Sequence, residues 1–291
     1  MTTTTLSPTS AKSVRTAASL GRKEYIEVEP GVRLHITDLG EGKPVVLIHG
    51  WPLSNAMYEY QYSALVDRGY RVIGITLRGF GFSDKPFGRY DYDVYADDIK
   101  VVLEALGMEE AALGGFSMGG AISIHFVAKY PGQHVEKLLL FGAAAPIWTQ
   151  RPDFPYNLPT AAVADLIALN HSNRPQLLED FGKIFAAHET ALSAGMAQWL
   201  GIINYQASPY AMAQSLMALR DTDLREALGQ ISIPTAIFHG RHDKICPFVL
   251  AEQMHERIKD SRIIAFEKSG HALFVEEREK FNAELIHFLS I

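Results

Sequence analysis

Short, nearly continuous apolar runs recur along the chain: VVLIHG (45–50), RVIGITL (71–77), AALGGFS (111–117), EKLLLFGAA (136–144), TAIFHG (235–240) and RIIAFE (262–267). Runs of this length without alternation suit strands covered on both faces, the setting of a central parallel sheet. Ahead of them, EYIEVE (24–29) and VRLHITDLG (32–40) alternate apolar and polar positions on either side of Pro30-Gly31, which predicts a hairpin at one edge. Helical spacing falls between the runs. Ile99, Val102, Leu103 and Leu106 lie at i, i+3, i+4 and i+7, with Gly107 placed to stop the helix. A helix is predicted from 118 to 130, ahead of Pro131, and Phe281, Leu285, Phe288 and Leu289 form a last apolar stripe. The alternation predicts an α/β fold with a mostly parallel central sheet and helices on both faces.

One interval departs from the alternation. From 146 to 229 only helical signals occur, such as AAVADLIALN and QLLEDFGKIFAA, after the proline-broken entry APIWTQRPDFPYNLP. This predicts a helical cap over residues 146–229, above the ends of the strands, with 23–145 and 230–291 forming the core. Residues 1–22 read as a solvated tail: they hold no acid, are rich in Thr, Ser and Ala, and lack the apolar segment of a secretory signal.

Charge and cysteine content narrow the function classes. The net charge of −6 over 291 residues argues against nucleic acid as the main partner, because a polyanion calls for a basic face. No apolar stretch reaches the roughly 20 residues that cross a bilayer, so no membrane partner is expected. A single cysteine, Cys246, rules out an intrachain disulfide. A cytoplasmic protein is expected, and its oligomeric state is open, with a homodimer among the options.

The candidate chemistry sits where predicted strands end. Gly115-Phe116-Ser117-Met118-Gly119 spells G-x-S-x-G between a strand and a helix, a context that marks a serine nucleophile rather than a plain turn. A serine hydroxyl needs a base, and the base an orienting acid. Asp243 follows the TAIFHG run in HGRHDKICP, and His271 follows the RIIAFE run in EKSGHALF, in the chain order Ser, Asp, His. The loop GAAAPIW after the EKLLLFG run holds no rival acid, and Glu267 is assigned to its strand. The backbone amides of Trp51 and Met118 are the expected oxyanion donors. An apolar pocket is expected from Trp51, Trp148, Trp199, Ile245 and Leu273, with Phe185, Met196, Met212, Met217 and Phe274 as further candidates.

HGWP, RGFGFSDKP, GFSMGG, HGRHDKICP and GHALF, in this order, resemble the α/β-hydrolase superfamily. Trp51 with Met118, and the ending GHALFVEEREKFNAELIHFL, are similar to its cofactor-free haloperoxidase, perhydrolase and aryl-esterase branch. The resemblance implies an α/β-hydrolase fold and a serine hydrolase with the triad Ser117, Asp243 and His271, in a branch that can form peracids when peroxide replaces water. HGWP also occurs in epoxide hydrolases, but those and haloalkane dehalogenases carry an aspartate where this chain has Ser117.

The remaining motifs read as structural. RGFGFSDK (78–85) lacks the third glycine of a phosphate loop, so Arg78 and Asp84 are expected to bond backbone or each other. His49, His239 and His242 are expected to anchor loops, and Cys246 to pack as a small apolar group. No metal is expected, because the eleven histidines form no H-x-x-x-H pair with a supporting acid, and no cofactor is called for. The expected function is hydrolysis of a small apolar carboxylic ester without cofactor or metal. Perhydrolase or haloperoxidase-type activity, lactone or carbon–carbon bond hydrolysis, and a slow-turnover ligand sensor stand as alternatives.

Overall fold

A computed structural model describes residues 22–291. The tail expected over 1–22 therefore lies outside the described residues, except for Arg22, which pairs with Asp38 at 3.1 Å. Among the described residues eight strands form one sheet: β1 (Tyr25–Glu29), β2 (Val32–Leu39), β3 (Lys43–Ile48), β4 (Tyr70–Ile75), β5 (Ala111–Phe116), β6 (Val135–Phe141), β7 (Thr235–Gly240) and β8 (Ser261–Phe266). Their order is β1-β2-β4-β3-β5-β6-β7-β8. The β1–β2 hairpin lies at one edge and pairs antiparallel, as does β2 with β4, and every other pairing is parallel. The apolar runs therefore became strands as their pattern predicts. β5 and β7 are buried along their whole length, which explains why they show no alternation.

The helices are α1 (Glu59–Val66), α2 (Tyr92–Ala105), α3 (Met118–Lys129), α4 (Thr160–Phe185), α5 (Ala194–Tyr205), α6 (Pro209–Asp221), α7 (Arg225–Gly229), α8 (Val249–Arg257), α9 (Leu273–Glu276) and α10 (Arg278–Ser290). Local chemistry starts several of them. The Asp91 carboxylate accepts the Val94 N–H at the head of α2, and Ser193 and Ser208 hydroxyls accept the Met196 and Ala211 N–H at the heads of α5 and α6. Ile99, Val102 and Leu103 turn the apolar face of α2 into the core. The two helical signals expected around 161–187 join into α4, which breaks at Asn173 (φ −154°, ψ 70°), just before Pro175. Between β6 and β7 the chain forms only α4–α7 and two isolated bridges, Thr149–Leu158 and Arg151–Phe154. No helix of the described residues is long and apolar enough to cross a membrane.

Arg78 and Asp84 do not meet. Arg78 lies at the carboxyl side of β4 and is buried, so its charge needs a buried partner. It forks onto Asp98 of α2 with two bonds of 2.6 Å and reaches Glu29 of β1 at 2.8 Å. Asp84 accepts the backbone N–H of Arg33 at 2.8 Å. The Arg78–Asp98 fork thus ties α2 to the carboxyl end of β4, and Glu29 joins β1 to the same guanidinium.

Candidate active site

Ser117 occupies the turn between β5 and α3 with φ 53° and ψ −118°, a region that side chains other than glycine rarely adopt. The surrounding glycines allow the turn. A Cβ at Gly115 would come within 2.3 Å of the Gly119 carbonyl oxygen, and one at Gly119 within 2.4 Å of the His49 oxygen. The elbow therefore packs directly on its own helix and on the loop after β3. The Ser117 amide donates to Phe141 O (2.9 Å), and its carbonyl accepts from Gly120 (3.0 Å) and Ala144 (3.0 Å). These bonds fix the backbone and leave the hydroxyl out of them. Ser193 and Ser208, also serines directly preceding helices, use their hydroxyls as caps, whereas Ser117 makes no cap bond.

Asp243 and His271 form a buried pair. His271 Nδ1–H donates to Asp243 Oδ2 at 2.7 Å, and both side chains are inaccessible to solvent. The other carboxylate oxygen, Oδ1, accepts the backbone N–H of Ile245 (2.9 Å) and Cys246 (2.8 Å), so the loop after β7 holds the acid in one orientation. With Nδ1 protonated, His271 Nε2 carries the lone pair, and this nitrogen is buried with no hydrogen-bond partner among the described residues. The ring lies 4.6 Å from that of Phe116, the residue before Ser117. Gly142, after β6, closes in from the other side. A Cβ there would sit 3.3 Å from His271 Nδ1 and 3.4 Å from Asp243 Oδ2, and its φ of 50° disfavours any side chain.

The histidine loop is clamped from outside. Glu276 accepts the N–H of Gly270 (2.8 Å) and of Ala187 (2.9 Å), joining this loop to the chain just after α4. Glu277 accepts the Lys268 N–H (3.0 Å) and the Ser269 hydroxyl (2.7 Å). Ala272 N–H donates to Phe185 O at 2.9 Å. Burial raises the Glu276 carboxyl above its ordinary range, against the two amides that favour its charge.

Ser117 opens into a cavity of about 440 Å³. Trp51, Trp148, Leu177, Phe181, Leu216 and Ile245 are among its walls, with Asn157, Asp180 and Lys244 as its other polar side chains besides Ser117. Both indoles tie the segment between β6 and β7 to the core: Trp51 Nε1–H donates to Met212 O of α6 (3.2 Å), and Trp148 Nε1–H, in the stretch after β6, donates to Ile245 O (3.1 Å). A serine hydroxyl freed from capping opens into an apolar chamber at the carboxyl edge of the sheet, where ligands of open α/β sheets bind, and the His271–Asp243 pair is packed against the neighbouring Phe116.

A family model described as alpha/beta hydrolase fold matches residues 43–278. The chain belongs to the α/β-hydrolase family. This hydrolase is 46% identical over 264 residues to the AB hydrolase superfamily protein YisY of Bacillus subtilis (strain 168), covering 91% of this chain and 98% of the relative. Among solved structures it is similar to the esterase EaEST of Exiguobacterium antarcticum, with a TM-score of 0.89 and 43% identity over 92% of this chain and 99% of that one. It is equally close in shape to a bromoperoxidase of Bacillus anthracis, with a TM-score of 0.89, 34% identity and the same coverage of 92% and 99%. Its fold is the α/β-hydrolase fold, in the branch that includes the non-heme haloperoxidases.

The expected pocket residues divide. Trp51, Trp148 and Ile245 line the cavity of the hydrolase. Trp199 does not: it sits on α5, 6.3 Å from the ring of Tyr60. Leu273 is fully buried at the start of α9 and is absent from the lining, because the turn after His271 directs it into the core with Phe274. Phe185 packs 5.6 Å from the His271 ring, while Met196, Met212 and Met217 stay out of the chamber. Met118 heads α3, where a first-turn amide has no acceptor within its helix, and Trp51 lies in the turn after β3.

His49 anchors its loop as expected. Nδ1–H donates to Gly50 O (2.9 Å), Nε2 accepts the Leu77 N–H (3.0 Å), and burial pushes its pKa down to about 4. His239 bonds Cys246 O at 2.6 Å and lies 3.7 Å from Asp243. His242 is exposed, and its backbone N–H donates to Ser269 O at 3.0 Å. Burial, then the Asp243 charge, raises the Cys246 thiol well above its ordinary range, in keeping with a packed, unreactive side chain. Among the described residues no three His, Cys, Asp or Glu side chains group as metal ligands. Sequence reasoning missed Gly142, Asn157, Phe181 and Glu276. Only Glu276 left a signal, as one of two adjacent acids soon after the histidine loop.

Proposed function

We propose that this hydrolase cleaves carboxylic esters through an acyl-enzyme on Ser117. The observation that carries the reading is the placement of the Ser117 hydroxyl: the residue holds a strained left-handed turn at a helix head, yet caps nothing there and opens into an apolar chamber. His271 Nε2 takes the hydroxyl proton as Oγ attacks the ester carbonyl carbon. The amides of Trp51 and Met118 hold the oxygen as it gains charge. Asp243, fixed by two backbone amides, keeps His271 in the Nδ1–H tautomer and stabilises its cationic form. The tetrahedral centre collapses, the alkoxide leaves with the proton from Nε2, and water attacks the acyl-enzyme by the same route in reverse. In this reading residues 146–229 act as a cap whose apolar wall excludes water and favours small apolar esters, and the protein works in the cytoplasm.

Ser117→Ala tests the reading. Ester turnover should fall roughly 10⁴–10⁶-fold with the circular dichroism spectrum and melting temperature kept. An unchanged rate would remove Ser117 from the mechanism. A second reading, peracid formation when hydrogen peroxide instead of water attacks the acyl-enzyme, is favoured by the likeness to the bromoperoxidase. Peroxide, acetate and bromide together should then brominate a dye at a rate that Ser117→Ala abolishes.

A further inference from the structure

A second hollow lies beside the catalytic chamber. It occupies about 540 Å³ between the second half of α4 and α5. Leu178 and Gly182 of α4 face Ala197, Leu200 and Gly201 of α5 across it, with Leu192 on the same apolar wall, while the exposed Glu179, Lys183, His188 and Glu189 form a polar rim open to solvent. Phe181 alone lines both spaces. Its ring stands edge-on to Trp51 at 5.2 Å and lies 5.4 Å from Phe185, so this side chain, at the core-facing side of α4, borders both the hollow and the chamber that holds Ser117. The helix explains the arrangement. Past the break at Asn173, Leu177, Phe181 and Ile184 follow each other at helical spacing on the chamber side, while Leu178, Gly182 and Phe185 turn to the other side. There is room on both helices for a side chain: a Cβ added at the exposed Gly182 or at the half-buried Gly201 would meet no atom within 4 Å.

We propose that the α4–α5 hollow is a second subsite, that Phe181 is the residue which sets chain-length preference, and that the far end of a long apolar ester enters the hollow when the Phe181 ring turns aside. The proposal rests on the ester-hydrolase reading of Ser117. Its ligand class is an unbranched alkyl chain with its ester group at Ser117. Each methylene fully moved from water onto the apolar wall adds at most roughly fourfold in kcat/KM. A short acyl group fits the first chamber and does not report on the hollow.

The experiment is a series of p-nitrophenyl esters, from acetate through octanoate to dodecanoate, on the wild type, Phe181→Ala and Gly201→Phe. Gly201→Phe fills the hollow from the α5 side, and replacing a helical glycine does not weaken the helix. It should lower kcat/KM for dodecanoate by about tenfold or more while acetate stays within about twofold, since several methylenes lose their burial. Phe181→Ala should raise the dodecanoate-to-acetate ratio, and Gly201→Phe added to it should abolish the gain. Equal effects on both esters, or none, would overturn the subsite while leaving the hydrolase reading intact. Dodecanol binding to Ser117→Ala protein, followed by tryptophan fluorescence, makes the same test without turnover. Binding should weaken on adding Gly201→Phe, and unchanged binding would overturn the proposal even where no ester is cleaved.

Discussion

Asp243→Asn asks whether the loop after β7 chooses the tautomer of His271. An asparagine at this position can face two ways. In the first, its oxygen keeps the Ile245 and Cys246 N–H bonds and its NH₂ group faces His271 Nδ1. Nδ1 must then accept, the ring proton moves to Nε2, and the nitrogen that should take the serine proton is blocked. In the second, the oxygen faces Nδ1–H and the working tautomer survives, but two buried backbone donors lose their acceptor. At roughly 1–3 kcal/mol for each abandoned donor, the second orientation lies about 2–6 kcal/mol higher. With 1.36 kcal/mol to a factor of ten, its population, and with it kcat, falls about 30-fold to 26,000-fold. Loss of the carboxylate charge beside the imidazolium pushes the result toward the upper end. Every hydrogen bond of the wild-type carboxylate is replaced in the first orientation, so the melting temperature should stay within a few degrees. Steady-state hydrolysis of p-nitrophenyl acetate reads the rate, and ¹⁵N NMR of the ring reads the proton position. A loss below tenfold, or a ring still protonated at Nδ1, would refute this account of Asp243.

Asp98→Ala strands the buried Arg78 guanidinium, so unfolding free energy should drop by about 3–5 kcal/mol in urea titrations, with activity kept in the folded protein at low temperature; a change under 1 kcal/mol would mean that Glu29 and solvent already satisfy Arg78. Glu276→Ala deprives the Gly270 and Ala187 amides of their acceptor. It should cost roughly 2–6 kcal/mol and lower kcat, whereas Glu276→Gln recovers part of both, and equal behaviour of the two variants would count against the clamp. His49, with its pKa lowered to about 4 by burial, holds fewer protons in the folded chain than in the unfolded one between that value and about 6.5. Its contribution is therefore full above pH 6.5 and declines as pH falls to 4, by up to about 3 kcal/mol. The wild type should lose this much more than His49→Gln across the window, and parallel curves would argue against a neutral, buried His49.

The strands were legible because burial on both faces demands unbroken apolar runs, and few other elements of that length do. The candidate positions Ser117, Asp243 and His271 stood out for a related reason: each lies at or within a few residues of the end of such a run, so finding strand ends locates the loops that carry them. Distances across the fold were not. Gly142 looks like any loop glycine until the His271–Asp243 pair is seen against it. Trp199 and Phe181 both sit on helices between β6 and β7 with similar local patterns, and periodicity cannot say which apolar side faces a chamber and which a neighbouring helix. The break in α4 at Asn173 aims Leu177, Phe181 and Ile184 at Ser117, and it depends on tertiary packing as well as on Pro175. The Arg78–Asp98 fork was missed because twenty residues separate partners that the β4–α2 connection brings together.

The acyl-enzyme on Ser117 is tested most directly by treating the protein with a fluorophosphonate while following p-nitrophenyl ester turnover, then mapping the adduct by mass spectrometry. One adduct per chain, on the peptide that contains Ser117 and formed in proportion to the activity lost, is the predicted result. Turnover that survives full labelling of Ser117, or that disappears with the adduct on another residue, would contradict the account.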